Sequence, residues 1–332
     1  MPGRNDPPWP RLGLTVGDPA GIGPEVILKA LSRPDLPPAC YLILSPPAVI
    51  ESEAKTLGLT LSLLPFGGWE NLSAPGIYVY PLEEATPLPR KGEASAEAGR
   101  ISFRAFSLAI DMAKEGKIQA IVTAPVAKLS WSLAGIPYCG HTEYLEHLFP
   151  QAIMAFWSRK LRIALFTHHL PLMAALRRVT RENLIDFFSR LAESVSRLFG
   201  KPREYLVAGL NPHAGEEGLL GDEETKEIIP AVNEARKGGL NISGPYPPDV
   251  VFRHGLNNSR KIVIALYHDQ ALIAFKLVSF SDGVNLTLGL PFIRTSPDHG
   301  TAFDIAKQRV ASERSMMAAI RLARRLALKL AS

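Results

Sequence analysis

The sequence predicts an α/β protein with a largely parallel sheet. Three observations carry this expectation. Short apolar runs of strand length recur along the chain, each followed by a segment with helical periodicity. Turn residues separate the two kinds of segment. No internal repeat or low-complexity tract interrupts the alternation, which is the pattern of strands crossing over through helices. A Pro-rich opening segment leads into a strand over Leu12–Thr15, then a Gly-rich turn and a helix from near Pro24, where the missing N–H of proline costs nothing. Residues 83–93, EEATPLPRKGE, read as an exposed loop. Ile101, Ala105, Leu108 and Met112 then share one helix face, broken at Gly116, before a strand over Ile118–Val122. The pattern continues with a strand over Leu161–Phe166. Leu184, Phe187, Leu191, Val195 and Leu198 mark a helix that Gly200 closes. Strands over Tyr205–Leu210 and Ile262–Tyr267 flank a charged helix over 222–236, and a helix over 315–330 ends the chain.

The 332 residues suffice for one large or two medium domains, with 46% hydrophobic and 21% charged residues, the balance of a globular protein. A formal charge of +5 is only mildly basic. Its Lys and Arg residues are scattered, which argues against nucleic acid and suits a small anionic substrate. Two cysteines, Cys40 and Cys139, stand far apart and outside any metal or redox spacing. The first ten residues lack a signal-peptide core, and no apolar run approaches the roughly 18 residues of a membrane span. A cytoplasmic protein with neither membrane nor nucleic-acid partner is the expectation.

Of the eight histidines, three follow strands: His169 in THHLPL, His213 in NPHAG and His268 in HDQ. In open α/β sheets, the carboxyl ends of strands face the ligand crevice. Three imidazoles meeting there would hold a divalent cation and leave one position for substrate. Such a cation lowers the pKa of a chelated alcohol and polarises the carbonyl that hydride loss creates. His168 rivals His169, and Asp269 is either an orienting acceptor for His268 or a general base. His147 on a helix, and His254 and His299 in turns, are read as packing or surface residues.

A second set of residues suits an anion. Thr142 in GHTE is a plausible N-cap, at a helix start whose N–H groups favour phosphate or carboxylate. Lys276, Asn285 and Arg294 recur at nine-residue intervals in FKLVSF, GVNLTLGL and PFIRTSP, where polar residues inserted into apolar strands need a partner if buried. The N-terminal GDPAGIGPE has neither Rossmann nor P-loop spacing. Its Gly21 and Gly23 are nevertheless weak candidates for close approach to a cofactor.

GDPAGIGPE (17–25), GHTEYL (140–145), THHLPL (167–172), NPHAGE (211–216), YHDQALIAFK (267–276) and GVNLTLGLPFIRTSPDHGTAFDIA (283–306) together resemble the 4-hydroxythreonine-4-phosphate dehydrogenase family, in order, from about Leu12 to Ala323. The resemblance implies a two-domain fold similar to isocitrate and isopropylmalate dehydrogenases, with a cleft between the domains. One domain would comprise residues 1–133 plus 285–332, and the other 134–284. It implies NAD(P)-dependent oxidation of 4-(phosphooxy)-L-threonine to a 3-oxo acid that loses CO2 to give 3-amino-2-oxopropyl phosphate, in vitamin B6 biosynthesis. It further implies a homodimer with its active site at the subunit interface, and one divalent cation (Zn, Mg or Co) on His169, His213 and His268. His141, Thr142, Lys276, Asn285 and Arg294 match substrate-binding positions. Asp249 and Asp269 match acidic positions near the substrate, which makes them candidates for proton handling, and Lys276 is a further catalytic candidate that offsets anionic charge.

The chain departs from the family pattern at Ala127, at Ser158-Arg159-Lys160, and at Lys307-Gln308-Arg309 with Glu313. The last stretch bears on NAD against NADP. Relatives acting on erythronate or threonate 4-phosphate supply an alternative substrate. A metal-dependent hydrolase or lyase, and a non-catalytic anion-binding protein, are the alternatives of other classes.

Overall fold

The computed structural model describes residues 9–72, 74–83, 87–200 and 203–331. Residues 1–8 of the opening segment, and 84–86 of the expected loop, lie outside the described residues. The strands are β1 (Arg11–Thr15), β2 (Cys40–Ser45), β3 (Leu63–Pro65), β4 (Gly76–Pro81), β5 (Ala120–Thr123), β6 (Ile153–Trp157), β7 (Arg162–Leu165), β8 (Glu204–Ala208), β9 (Ile242–Tyr246), β10 (Lys261–Ala265), β11 (Val284–Leu288) and β12 (Ile293–Pro297).

The chain forms two compact units, Met1–Pro150 with Leu290–Ser332, and Gln151–Gly289. Residues 285–289 thus fall in the second unit and residues 134–150 in the first, the reverse of the sequence reading. Aromatic side chains explain the assignment of residues 134–150. Tyr144 packs against Phe103 and Phe106 of the helix Ala96–Lys114, with ring centroids 5.1 and 5.9 Å away.

In the first unit the strand order is β3-β4-β2-β1-β5-β12. The pairings there from β3 through β12 are parallel. Every residue of β2, CYLILS, is buried, as a parallel strand covered on both faces requires. Helix Ala96–Lys114 starts at Ser95, whose hydroxyl accepts from the Ala98 N–H at 3.2 Å. Gly99 on that helix has no room for a Cβ, because the Ser130 carbonyl takes the space. This close approach buries Trp131, whose indole N–H donates to the Ser102 hydroxyl at 2.9 Å.

The second unit has the order β11-β6-β7-β10-β8-β9. There β6 runs antiparallel to both β11 and β7, while β7-β10-β8-β9 is parallel. Its core includes Phe156, Ile163, Leu206, Val251, Val263 and Phe275. The expected strands near residues 161, 205 and 262 are β7, β8 and β10. β9, which the sequence reading did not include, carries Gly244 and Pro245 and lies at the sheet edge, where a proline forfeits no central ladder bond.

Three local expectations need correction. The charged helix over 222–236 opens with a π turn, Glu224–Ile228, before α-helix Ile229–Lys237. His254 lies on the helix Pro248–Gly255, not in a turn. Lys276 is exposed on the helix His268–Ser279 rather than inserted into a strand; its nine-residue spacing from Asn285 on β11 and Arg294 on β12 spans different elements.

Candidate active site

Because β7, β10 and β8 are parallel neighbours, their carboxyl ends lie side by side, and each delivers one of the three expected histidines. Buried polar side chains tie these ends together. The Thr167 hydroxyl donates to the Leu266 carbonyl at 2.6 Å. Gln270 accepts from the Leu266 N–H at 2.7 Å and donates to the Gly209 carbonyl at 2.8 Å, which links the end of β10 to the end of β8.

His169 and His268 come together, with ring centroids 5.6 Å apart. Two imidazoles sharing one metal place their centroids about 5 Å apart, from M–N bonds of about 2 Å. The pair therefore fits a shared cation. Asp269 Oδ1 lies 3.0 Å from His268 Nδ1, and so leaves Nε2 as the nitrogen offered outward. His168 packs on His169 with centroids 5.5 Å apart, its Nδ1 buried, while His169 itself is exposed. His169 and His213 both adopt left-handed backbone, with φ of 42° and 53°.

His213 belongs to a left-handed turn. Residues His213, Ala214, Gly215, Glu216 and Glu217 have φ from 43° to 81°. Four of them are not glycine, so at about 1–2 kcal/mol each the turn stores roughly 4–8 kcal/mol of strain. Among the described residues, no group of three or more His, Cys, Asp or Glu is arranged to hold a metal. One chain brings together the pair His169–His268, and the expected convergence of all three imidazoles does not occur within it. The parallel strands explain this: the turns after β7 and β8 lie on opposite sides of β10, about 10 Å apart at strand spacing.

A different cluster forms in the first unit. Arg294 on β12 is 3% exposed, and its Nη2 donates to the Thr123 hydroxyl at the end of β5 at 2.7 Å. Burial pushes its pKa down to about 10, which leaves it charged at neutral pH. His141 Nδ1 lies 3.4 Å from the same Nη2. Burial first, then the Arg294 charge, hold the imidazole well below its usual 6.5, so the ring is neutral. A guanidinium offers only donors, so Nδ1 accepts and the proton resides on Nε2. That Nε2 is buried and has no hydrogen-bond partner among the described residues. Phe106, with its centroid 4.3 Å away, and Trp131 wall the ring.

Thr142 is not the N-cap. Gly140 caps the helix His141–Leu148 with φ 119° and no side-chain acceptor, and Glu143 reaches back to the Cys139 N–H. The first N–H groups of that helix therefore have no capping side chain. Asn285 Oδ1 on β11 is likewise buried with no hydrogen-bond partner among the described residues. Asp249, in the first turn of its helix, and Asp269 are both exposed.

Gly21 and Gly23 are accounted for without a cofactor. A Cβ on Gly21 would stand 2.8 Å from the Thr301 carbonyl oxygen, and one on Gly23 2.5 Å from that of Val16. Their close approach is to the chain's own backbone. Among the departures, Ala127 sits at the N-cap of helix Lys128–Leu133 and provides no acceptor. Ser158 builds the β6–β7 turn by accepting from the Lys160 and Leu161 N–H groups at 3.1 and 2.9 Å. Arg309 turns inward to the buried Glu53 at 2.9 Å, and exposed Lys307 pairs with Glu93 at 3.6 Å. No helix among the described residues is long and apolar enough to cross a membrane.

Residues 40–323 match the family described as "Pyridoxal phosphate biosynthetic protein PdxA". The chain is 39% identical over 325 residues to a 4-hydroxythreonine-4-phosphate dehydrogenase of Desulforapulum autotrophicum, covering 95% of this chain and 94% of that one. It is 41% identical over 325 residues to a D-threonate 4-phosphate dehydrogenase of Salmonella typhimurium, covering 95% and 98%. The crystal structure of a 4-hydroxythreonine-4-phosphate dehydrogenase from Klebsiella pneumoniae has the same fold, with a TM-score of 0.88 and 37% identity over 98% of this chain and 100% of that chain.

Proposed function

The chain belongs to the pyridoxal phosphate biosynthetic protein PdxA family, and on that premise we propose that it oxidises 4-(phosphooxy)-L-threonine with NAD or NADP. The product, 2-amino-3-oxo-4-(phosphooxy)butanoate, then loses CO2 to give 3-amino-2-oxopropyl phosphate. One observation carries the phosphorylated substrate: a buried, charged Arg294 stands beside a His141 whose buried Nε2–H has no partner among the described residues. Both are donors, and an anion with several oxygens suits such a set of donors.

Thr123 fixes the guanidinium plane, and Phe106 with Trp131 fixes the imidazole, so the donors are set before substrate arrives. His169 and His268 would hold a divalent cation, oriented at His268 by Asp269. When bound, the cation supplies Lewis acidity at the reacting oxygen and the nicotinamide accepts the hydride. Asp249 or Asp269 takes the hydroxyl proton, and exposed Lys276 offsets negative charge. His213 completes the ligand set from a second copy of the chain.

An apolar face supports such a homodimer. Ile273, Leu277 and Phe280 recur at helical spacing after His268, and are 66%, 82% and 80% exposed. Leu219 and Leu220, beyond the His213 turn, are exposed as well. Leu277→Glu is expected to shift the chain to a monomer in sedimentation and to weaken cation binding with it. An unchanged mass would refute this interface.

The Salmonella relative's printed name favours one alternative, oxidation of D-threonate 4-phosphate. That acid differs from phosphooxy-threonine at C2, with a hydroxyl in place of the amine. The Arg294–His141 pair reads anionic oxygens and does not distinguish them. Steady-state kinetics on both substrates and erythronate 4-phosphate, with each nicotinamide and a divalent metal, test the reading. NAD(P)H formation with the highest kcat/KM on phosphooxy-threonine supports it. Turnover without nicotinamide points to a hydrolase or lyase instead, and silence on every substrate rejects the dehydrogenase.

A further inference from the structure

The His213 turn is strained, yet little packing holds it: of residues 213–220 only Gly215 is buried. Apolar burial therefore does not account for five consecutive left-handed residues. A buried carboxylate instead fixes the chain just before them. Glu224 is completely buried. Its Oε1 accepts from the backbone N–H groups of Leu210 and Asn211, both at 2.7 Å. Its Oε2 accepts from Asn211 Nδ2 at 2.8 Å, and Glu223 accepts from the same nitrogen at 2.7 Å. The turn closes tightly on this group, since a Cβ on Gly215 would stand 2.8 Å from Glu224 Oε2.

We propose that Glu224 is the positioning residue for His213: its buried carboxylate fixes the exit of the chain from β8, and so holds the left-handed turn that aims the imidazole outward. Two adjacent acidic residues reach Asn211, Glu223 at the N-cap and Glu224 at the first position of the π turn. Burying a carboxylate is an expensive way to satisfy two strand-end N–H groups that water would satisfy at a surface. The expense is explained if the turn must keep one conformation while remaining exposed. A ligand histidine needs that condition, because disorder in the free state is subtracted from affinity. Outer residues that orient a ligand typically change metal affinity by about 10–100-fold.

The inference rests on the reading of His213 as a ligand, and the test separates the two. The metal-stripped full-length chain is titrated with Co2+ and followed by its visible absorption, for wild type, His213→Ala, Glu224→Gln and Glu224→Ala. Leu191→Ala, a core substitution on helix Arg181–Phe199, serves as a destabilised control. Glu224→Gln keeps the size and one acceptor, and decides the matter if the alanine variant does not fold. The expected result is loss of the Co2+ spectrum in His213→Ala and about tenfold weaker binding in Glu224→Gln. Leu191→Ala is expected to bind as wild type despite a lower Tm, and kcat is expected to fall in Glu224→Gln with substrate KM unchanged. If Glu224→Gln binds Co2+ as wild type while His213→Ala does not, Glu224 has no positioning role and His213 remains a ligand. If His213→Ala binds as wild type, the ligand reading fails and takes this inference with it.

Discussion

His268→Ala is expected to abolish divalent cation binding and to lower kcat/KM by about a thousandfold or more. A cation at a developing alkoxide and enolate contributes several kcal/mol, and about 1.4 kcal/mol is tenfold in rate. His268 is the central choice because its ring stands 5.6 Å from that of His169 and is oriented by Asp269 at 3.0 Å. The substitution should do little to the fold, since His268 is only half-buried at the start of its helix. Metal content by inductively coupled plasma analysis, alongside the unfolding midpoint, distinguishes a lost ligand from a lost structure. Wild-type metal content in His268→Ala would remove His268 from the ligand set. Asp269→Asn should give a smaller effect, about 10–100-fold in affinity, because it disturbs only the orientation of the ring.

The second large effect is expected at Arg294. Arg294→Lys retains a positive charge but loses the planar fork and the bond to Thr123, so kcat/KM on a phosphorylated substrate should fall about 100-fold, or roughly 3 kcal/mol. Arg294→Met should fall further. The defect should appear chiefly as KM, as expected of a group that would hold an anion before and during the reaction alike. Inorganic phosphate offers an independent reading: it should protect the wild-type chain against thermal unfolding and leave Arg294→Met unprotected. Equal protection of both proteins would place the anion elsewhere. Because the pKa of Arg294 is held near 10 by burial, phosphate binding through it should be insensitive to the guanidinium's own titration across the neutral range.

How much of this was legible in the chain differs from residue to residue. β7, β8 and β10 were read from apolar runs, and their histidines from the place each occupies just beyond a strand end. Periodicity and turn residues are local signals, so a single sequence carries them. The boundary of the first unit was not legible in that way. Residues 134–150 are assigned by Tyr144 and His141 packing on the aromatic side chains of helix Ala96–Lys114, and no local pattern announces that contact. Gly21 and Gly23 look ligand-facing in sequence because a missing Cβ signals close approach without saying to what. The fold supplies Thr301 and Val16.

The same division holds within each cluster of candidate residues. Sequence by itself determined the α/β class, the strand-end placement of His169, His213 and His268, and, through its motifs, the family. The tertiary structure alone decided which groups meet within one chain: His169 with His268, and Arg294 with His141 and Thr123 across 153 and 171 residues of chain. It alone showed that His213 stands on a strained left-handed turn, and that Glu224 binds the backbone N–H of Asn211 just before it, thirteen residues away in sequence. The physical reason is range. Helix and strand preferences arise between residues a few positions apart, whereas a hydrogen bond, a buried charge or a shared cation depends on distances that only the folded chain sets.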